Sequence, residues 1–396
     1  MMRRGNLVLL CSGALIGAFM VVTGAAGCRG EETGSNTSGG GEGGSDPTST
    51  STTTGSTTGG MGGAGPGSGG AGGSAGGAGG GMGGSGGSGG GSACSGVDAT
   101  IYQVNGDPTA AGGAIGNKTA VHLKGVVAMS QKFLVTKSSA GRCLWGVFVS
   151  APDVVGGTTK EYSGVMVVAR GTDAVLNPQD QKTYCPKLGV AGETPGDPIP
   201  DDVKPGDVLN VIGLTDYFLL NNCANEPNGS TVAQRQVSNS CLVEKTGKTV
   251  TPPEAHVFTD AADIAKLASP TDKAFHDMWG NVKVRVEGQL AAVTQTVNNK
   301  PSVITSFGEV ILQGSNLSIG DKIYYRGYLK ASNACFDGPK FTVPMNGSYM
   351  FEGIEGFAYL NYCTWGLQAN NKCTDYSPAS EDCAAGGPGG APLMCP

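Results

Sequence analysis

Between Arg29 and Ser92 the chain is almost wholly Gly, Ser, Thr and Ala, first in Thr-rich and then in Gly-rich blocks. Such a tract has too little apolar surface to offset the entropy of ordering it, so the sequence predicts a disordered tether. A Gly/Ser chain of about 65 residues has a root-mean-square span of roughly 45 Å. Any fold must lie on either side of it. From Cys94 onward roughly 300 residues remain, room for two modest domains each with its own core. Within the tract, Gly83-Gly84-Ser85-Gly86-Gly87 matches the G-x-S-x-G hydrolase pattern through composition alone and carries no chemistry.

Ahead of the tract, Arg3 and Arg4 precede an apolar run from Leu7 to Val22, and Gly24, Ala25, Ala26 and Gly27 lead to Cys28. The run is short for a spanning helix, which needs about 20 apolar residues, and small residues follow it as in an export leader. The segment resembles the bacterial lipoprotein signal, in which cleavage precedes a cysteine that carries diacylglyceride; Ala25 stands where that family usually has Leu. The resemblance implies a signal peptide over 1–27, lipidation of Cys28 and a membrane partner reached through the lipid. An uncleaved anchor helix, or cleavage with Cys28 free, are the alternatives. One acyl chain holds a protein only marginally, at about 0.8 kcal/mol per buried CH₂, and the two or three of this family suffice. Arg29 stands where an Asp retains many lipoproteins at the inner membrane. By that analogy the expected location is the outer membrane, on its periplasmic face or at the cell surface. The formal charge is -6, becoming -8 once Arg3 and Arg4 leave with the leader. An acidic chain has no long-range attraction for phosphate backbones, so nucleic acid is disfavoured as a partner.

Beyond Cys94, short β-branched runs alternate with Gly, Pro, Asn and Asp, the texture of sandwiches or barrels. Strands are expected over 121–128, 133–137, 144–150, 164–170, 208–220 and 231–237. A second group is expected over 282–293, 303–306, 310–313, 322–329, 340–343 and 349–351. The stretch 261–268 reads as a helix, and Pro252, Pro253 and Pro270 around it mark a connector. Two echoes suggest related halves. Val121-His122-Leu123-Lys124-Gly125 matches Val284-Arg285-Val286-Glu287-Gly288, and the Gly206–Leu214 segment aligns with Gly320–Tyr328. The first half carries an extra stretch, about 151–204, that the second lacks.

With this order of elements the chain resembles tandem OB-fold-like domains of bacterial secreted and surface proteins, some of them attached to extracellular nucleases. Lys124-Gly125-Val126-Val127, Gly146-Val147-Phe148-Val149, Pro205-Gly206-Asp207 with its strand, and Phe341-Thr342-Val343-Pro344 carry the likeness. It covers most of 118–353 and implies binding or structural modules without catalytic residues. The Gly/Ser tether behind a lipoprotein cysteine is similar to surface lipoproteins of myxobacteria.

Apart from Cys11 in the leader and Cys28, ten cysteines remain: Cys94, Cys143, Cys185, Cys223, Cys241, Cys335, Cys363, Cys373, Cys383 and Cys395. An even number in an exported chain argues for disulfides, and the absence of C-x-x-C argues against a zinc ribbon. From Tyr362 onward strand pattern is weak, and the four cysteines there are expected to staple an irregular cap. The histidines His122, His256 and His276 have no metal spacing, and His122 alternates with Val121 and Leu123 as a solvent-facing strand position. Asp197, Asp201, Asp202 and Asp207 could offer oxygens to calcium, but lack the D-x-D-x-D-G register and are broken by prolines; a solvated turn is the preferred reading. Tyr324, Arg326 and Tyr328 share one parity and form the best candidate for a ligand face, by stacking as in OB folds; ordinary surface tyrosines are the alternative reading.

The sequence thus predicts an all-β protein with two tandem OB-like barrels and a disulfide-rich C-terminal cap. The expected order is leader 1–27, tether 28–93, first domain 94–250, connector 251–280, second domain 281–361 and tail 362–396. The expected function is non-enzymatic, with no cofactor or metal: binding of a glycan, peptide or envelope protein. A purely structural envelope component, or an accessory module of an extracellular hydrolase or nuclease, is the alternative.

Overall fold

In the first half the elements run β1 (Val97–Ala99), α1 (Ile101–Asn105), β2 (Ala120–Ala128), β3 (Phe133–Lys137), β4 (Arg142–Ser150), β5 (Gly164–Asp173), β6 (Val175–Leu176), β7 (Thr183–Tyr184), β8 (Asp207–Phe218) and β9 (Gln234–Thr249). The second half follows with β10 (His256–Phe258), α2 (Ala261–Lys266), α3 (Lys273–Trp279), β11 (Lys283–Ala291), β12 (Gln295–Val297), β13 (Lys300–Ser302), β14 (Val310–Ile311), β15 (Ser318–Gly320), β16 (Met350–Asn361), β17 (Thr364–Gln368), β18 (Tyr376–Ser377) and α4 (Glu381–Ala384). This computed structural model describes residues 94–138, 140–179, 181–323, 338–344 and 347–384. The architecture is all-β, with the helices short and peripheral to the sheets. No helix among the described residues is long and apolar enough to cross a membrane.

One sheet runs β1-β2-β8-β9-β5-β4-β3, and β2 also pairs β4 through Val127–Ser150 and Ala128–Val149. The other runs β10-β11-β16-β17-β15-β14, and an Ala292–Leu312 bridge joins the end of β11 to the end of β14. In each sheet the parallel contacts are few and correspond. β1 lies parallel to β2 with Val97 opposite Val121, and β10 parallel to β11 with His256 opposite Val284. β5 is parallel to β9, and β15 to β17. Gly125 and Gly288 take positive φ, +67° and +134°, where β2 and β11 shift register. A glycine tolerates that backbone, which is why both strands can bulge there.

The first echo is therefore structural: 121–125 and 284–288 occupy corresponding strands. The second is corrected where it is described, since 324–328 and most of the strand expected over 322–329 lie outside the described residues. Gly206 precedes β8, whereas Gly320 closes β15 and Asp321 lies beyond it. The counterpart of β8 is β16, since Val121 faces Gly213 and Val284 faces Gly356 in the same antiparallel sense. The stretch 151–204 is likewise no simple insertion, because it contains β5, hydrogen-bonded on both sides.

Burial follows side-chain parity, as a pleat of period two requires. Trp145, Val147 and Val149 of β4, with Val165, Val167 and Ala169 of β5, fill the first core. Their opposite faces carry Phe148, Met166 and Val168, which join Ile323, Phe357 and Tyr359 in a cluster between the two sheets. Phe148 stacks on Phe357 at 4.3 Å between ring centres. Ile354 and Ala358, of the other parity in β16, enter the second core. Burial on both faces explains why β4 and β5 read as continuous apolar runs.

Several expectations differ from what forms. Strand β16 extends ten residues past the expected end at 351, and 340–343 forms no strand. There Lys340 N–H donates to the Ser380 hydroxyl at 2.8 Å and accepts at its carbonyl from Glu381 N–H at 3.0 Å, so its backbone bonds to the start of α4. Residues 303–306 contribute only an isolated Ile304–Val310 bridge. The tail is not merely an irregular cap, because β17 sits between β16 and β15. The stretch around α2 is not merely a connector: Asp260 caps it by accepting from Ala262 N–H at 2.7 Å, and Ile264 and Leu267 enter the second core.

Among the described residues four disulfides form: Cys94–Cys241, Cys143–Cys185, Cys223–Cys363 and Cys373–Cys383. Cys363 thus reaches back to the first half rather than stapling the tail to itself. Cys335 and Cys395 lie outside the described residues, as does Cys28.

Candidate functional site

A cleft of about 900 Å³ opens where α1 and its following loop meet residues 160–162, β10 and the end of α3. Each wall has a local cause. Thr100 caps α1 in a reciprocal box with Gln103, and Gly106 ends the helix in the left-handed region. Asp272 caps α3 by accepting from Phe275 N–H at 3.1 Å. Thr159 fastens one wall to the other: its hydroxyl donates to Lys283 O at 2.6 Å and accepts from His256 N–H at 2.9 Å. Tyr162, at φ +60°, donates its N–H to Met278 O at 2.6 Å.

Inside the cleft, the Tyr102 hydroxyl donates to Asp153 Oδ1 at 2.9 Å. The Lys160 ammonium donates to Asp153 Oδ2 at 2.8 Å and lies 5.0 Å from the Tyr102 ring centre. Burial, helped by Asp153, pushes the Tyr102 phenol up to about 12. Burial would raise Asp153, but the bonds from Lys160 and Tyr102 hold it below the usual carboxylate range. His256 packs on the Trp279 ring at 4.4 Å, and burial lowers its pKa against the opposing pull of Glu161. Burial, then the Asp107, Asp277 and Glu161 carboxylates, raises the Tyr162 phenol. Rings and carboxylates dominate this surface. Its one lysine is already paired.

The residues expected to carry ligand binding, Tyr324, Arg326 and Tyr328, lie outside the described residues. The three histidines do not converge. His122 sits 3.4 Å from Asp98 at the β1–β2 edge, His256 lines the cleft, and His276 is buried in α3 with its Nε2 donating to Ser269 O at 2.7 Å. His276 stacks on Trp365 at 4.0 Å, and burial lowers it to about 4.

The acidic loop is the expected solvated turn only in part: Asp201 and Asp202 are exposed, whereas Asp197 and Asp207 are buried. Asp197 is enclosed against the ammonium of buried Lys132 at 2.7 Å, and Asp201 takes the same ammonium at 2.6 Å. Asp202 and Asp207 share Lys245, each at 3.0 Å. These carboxylates are thus turned toward lysines. No cluster of three or more His, Cys, Asp or Glu among the described residues could hold a metal ion.

Sequence reading did not find Tyr102, Lys160, Tyr162 or Trp279. The Thr100-x-x-Gln103 box and Gly106 are a helix signal that the strand-based reading passed over, and no spacing links them to residues 160 or 279. No protein-family model matches the chain, and no curated protein matches it.

Proposed function

We propose that this chain is an exported, lipid-anchored envelope protein that holds two OB-like β-barrels away from the membrane to bind a glycan, peptide or protein partner, without catalysis. What supports the barrel reading is the circuit of strand pairing. In the first sheet β2 pairs β4, β4 pairs β5, β5 runs parallel to β9, β9 pairs β8, and β8 returns to β2. In the second, β11, β14, β15, β17 and β16 repeat that circuit in the same senses, with the Ala292–Leu312 bridge as its closing contact. Closing a sheet on itself removes exposed edges, and OB-like barrels present loops and faces to ligands.

The observation that carries the binding reading is the junction cleft, whose walls come from both halves and whose lining combines rings with a few polar groups, as ligand sites do. The lipid anchor is supported by Arg3-Arg4, the 7–22 apolar run and the small residues before Cys28. Placement in the outer membrane rests on Arg29 by analogy alone.

Two measurements test this. Radiolabelled palmitate should enter the wild-type chain and not Cys28→Ser, which should leave the membrane fraction; a Cys28→Ser chain that still sediments with vesicles refutes the anchor. A glycan and peptide panel against the full chain should give a binder that weakens on Tyr162→Ala or His256→Ala. Binders unaffected by either change would move the site elsewhere, and no binder at all would remove the binding function.

A further inference from the structure

The cleft has a charge preference that its shape alone does not require. Lys160 is held by Asp153, and Arg235 by Asp277 with Nε 3.2 Å from Oδ1, so these pairs leave little net charge. Lys273 adds a second cation to Asp277, so that trio, outside the lining, keeps one positive charge against the carboxylates of the lining itself. Two carboxylates of the lining remain outside those pairs. Asp107 accepts at Oδ1 from the Thr109 N–H and hydroxyl, both at 2.7 Å, which are neutral donors that leave its charge uncancelled. Glu161 is exposed, lines the cleft with Tyr162 and His256, and its charge acts on both. Rings and negative charge in one concave surface attract an organic cation twice over, through the ring faces and through the carboxylates. The Lys160 ammonium beside the Tyr102 ring already makes one such contact.

We propose that the junction cleft binds an organic ammonium group, carried on a ligand of amino-sugar type, with the Tyr162 and His256 rings on one side and Glu161 and Asp107 as its counter-charges. This rests on the binding function proposed above and sharpens it. A cavity of about 900 Å³ exceeds what a lone ammonium head needs and suits a few linked saccharide units. A neutral sugar would leave the carboxylates without partners. An anionic one would face them across a partly desolvated surface, where like charges repel.

Two probes share a backbone and differ in charge: a β-1,4-linked glucosamine tetramer and its fully N-acetylated counterpart. Against the full chain, calorimetric titration at low salt and mildly acidic pH should give about tenfold tighter binding of the amine. Glu161→Gln, an exposed and nearly isosteric change, should abolish most of that difference and leave the acetylated tetramer unaffected; Asp107→Asn should reduce it further. The margin should shrink with added salt. Equal affinity for the two tetramers, or tighter binding of the acetylated one, overturns the ammonium inference while leaving glycan binding intact. Selectivity that survives in the Glu161→Gln, Asp107→Asn double variant overturns it as well. If neither tetramer binds, the inference fails, and the wider function fails with it only if the glycan and peptide panel is also blank.

Discussion

His276 and Asp375 should give this protein two opposed pH dependences that nearly hide one another. His276 is buried in α3 among Trp365, Phe275 and the Ser269 carbonyl, with Asp272 and Asp277 as its nearby charges. Its Nε2 proton is committed to Ser269, and its Nδ1 is buried with no partner among the described residues, so a second proton would have no acceptor there. Burial accordingly lowers its pKa from 6.5 to about 4. The unfolded chain binds the proton more readily, so this stability is complete above pH 6.5 and is lost as pH falls through about 4. The full span is about 3 kcal/mol, from roughly 1.4 kcal/mol per unit. Asp375 has the opposite sign. Burial, with Glu355 adding to it, pushes its carboxyl from 3.8 to about 6, against Lys283 and the N–H groups of Asn370 and Asn371. Its contribution is present below pH 3.8 and is lost as pH rises through about 6, again about 3 kcal/mol. Between pH 4 and 6 the two terms should largely offset in the wild type. Urea unfolding with disulfides intact should show stability falling with rising pH in His276→Gln, and rising with it in Asp375→Asn. The slopes carry the test, because either substitution can also shift stability uniformly. With only three histidines in the chain, the His276 ring can be followed directly by NMR. Titration near 6.5, or variants that keep the wild-type pH profile, would refute the argument.

Three further outcomes follow from burial and connectivity. Replacing both Cys223 and Cys363 by Ser opens a loop of 140 residues and should cost about 5 kcal/mol on the chain-entropy estimate, read as a shift in denaturant midpoint; no shift would mean the reduced chain is already ordered there. Lys132→Met strands the enclosed Asp197 carboxylate and should cost about 3–5 kcal/mol, whereas Lys132→Met with Asp197→Leu should recover most of it. Gln234→Leu deprives two buried groups, Leu360 N–H and Asn281 Oδ1, each 2.7 Å away, and should cost about 1–3 kcal/mol for each. In that variant the halves should still unfold in one transition by both circular dichroism and tryptophan fluorescence; two separated transitions would show that the Phe148–Phe357 contact does not couple them.

Much of the first half was legible because its strands are dense in β-branched residues. Phe133–Lys137 forms with the expected bounds, and β2 and β4 differ by two residues at most. The second half was harder for a physical reason. In Met350–Asn361 the glycines Gly353 and Gly356 and the acids Glu352 and Glu355 break the apolar alternation and read as turn residues. They stand in the strand because the partner strand supplies what they lack: Glu355 faces Arg285 in register and pairs with Lys283, and Gly356 lies opposite Val284. Such compensation is long-range and leaves no mark on spacing. The same holds for β17, whose Trp365 is buried with its indole N–H donating to the Ser230 hydroxyl at 3.1 Å, 135 residues away in sequence. Cysteine parity predicted bridges but not their partners, since connectivity depends on which strands become neighbours.

The cleft shows most plainly why function was less legible than fold. Its walls come from residues near 102, 160, 256 and 279, which no period or motif relates. They meet because the two sheets pack through Phe148, Phe357 and Tyr359, and because Thr159 bonds at once to β10 and β11. A site built across such a junction is formed before any ligand arrives, so little binding energy goes into assembling it. Repetition explains the junction as well. The parallel β1–β2 and β10–β11 pairs are equivalent, yet α1 lines the cleft from the first and α3 from the second, so neither half alone contains both walls. Two like units thereby produce one unlike surface, and the proposed binding would belong to the pair.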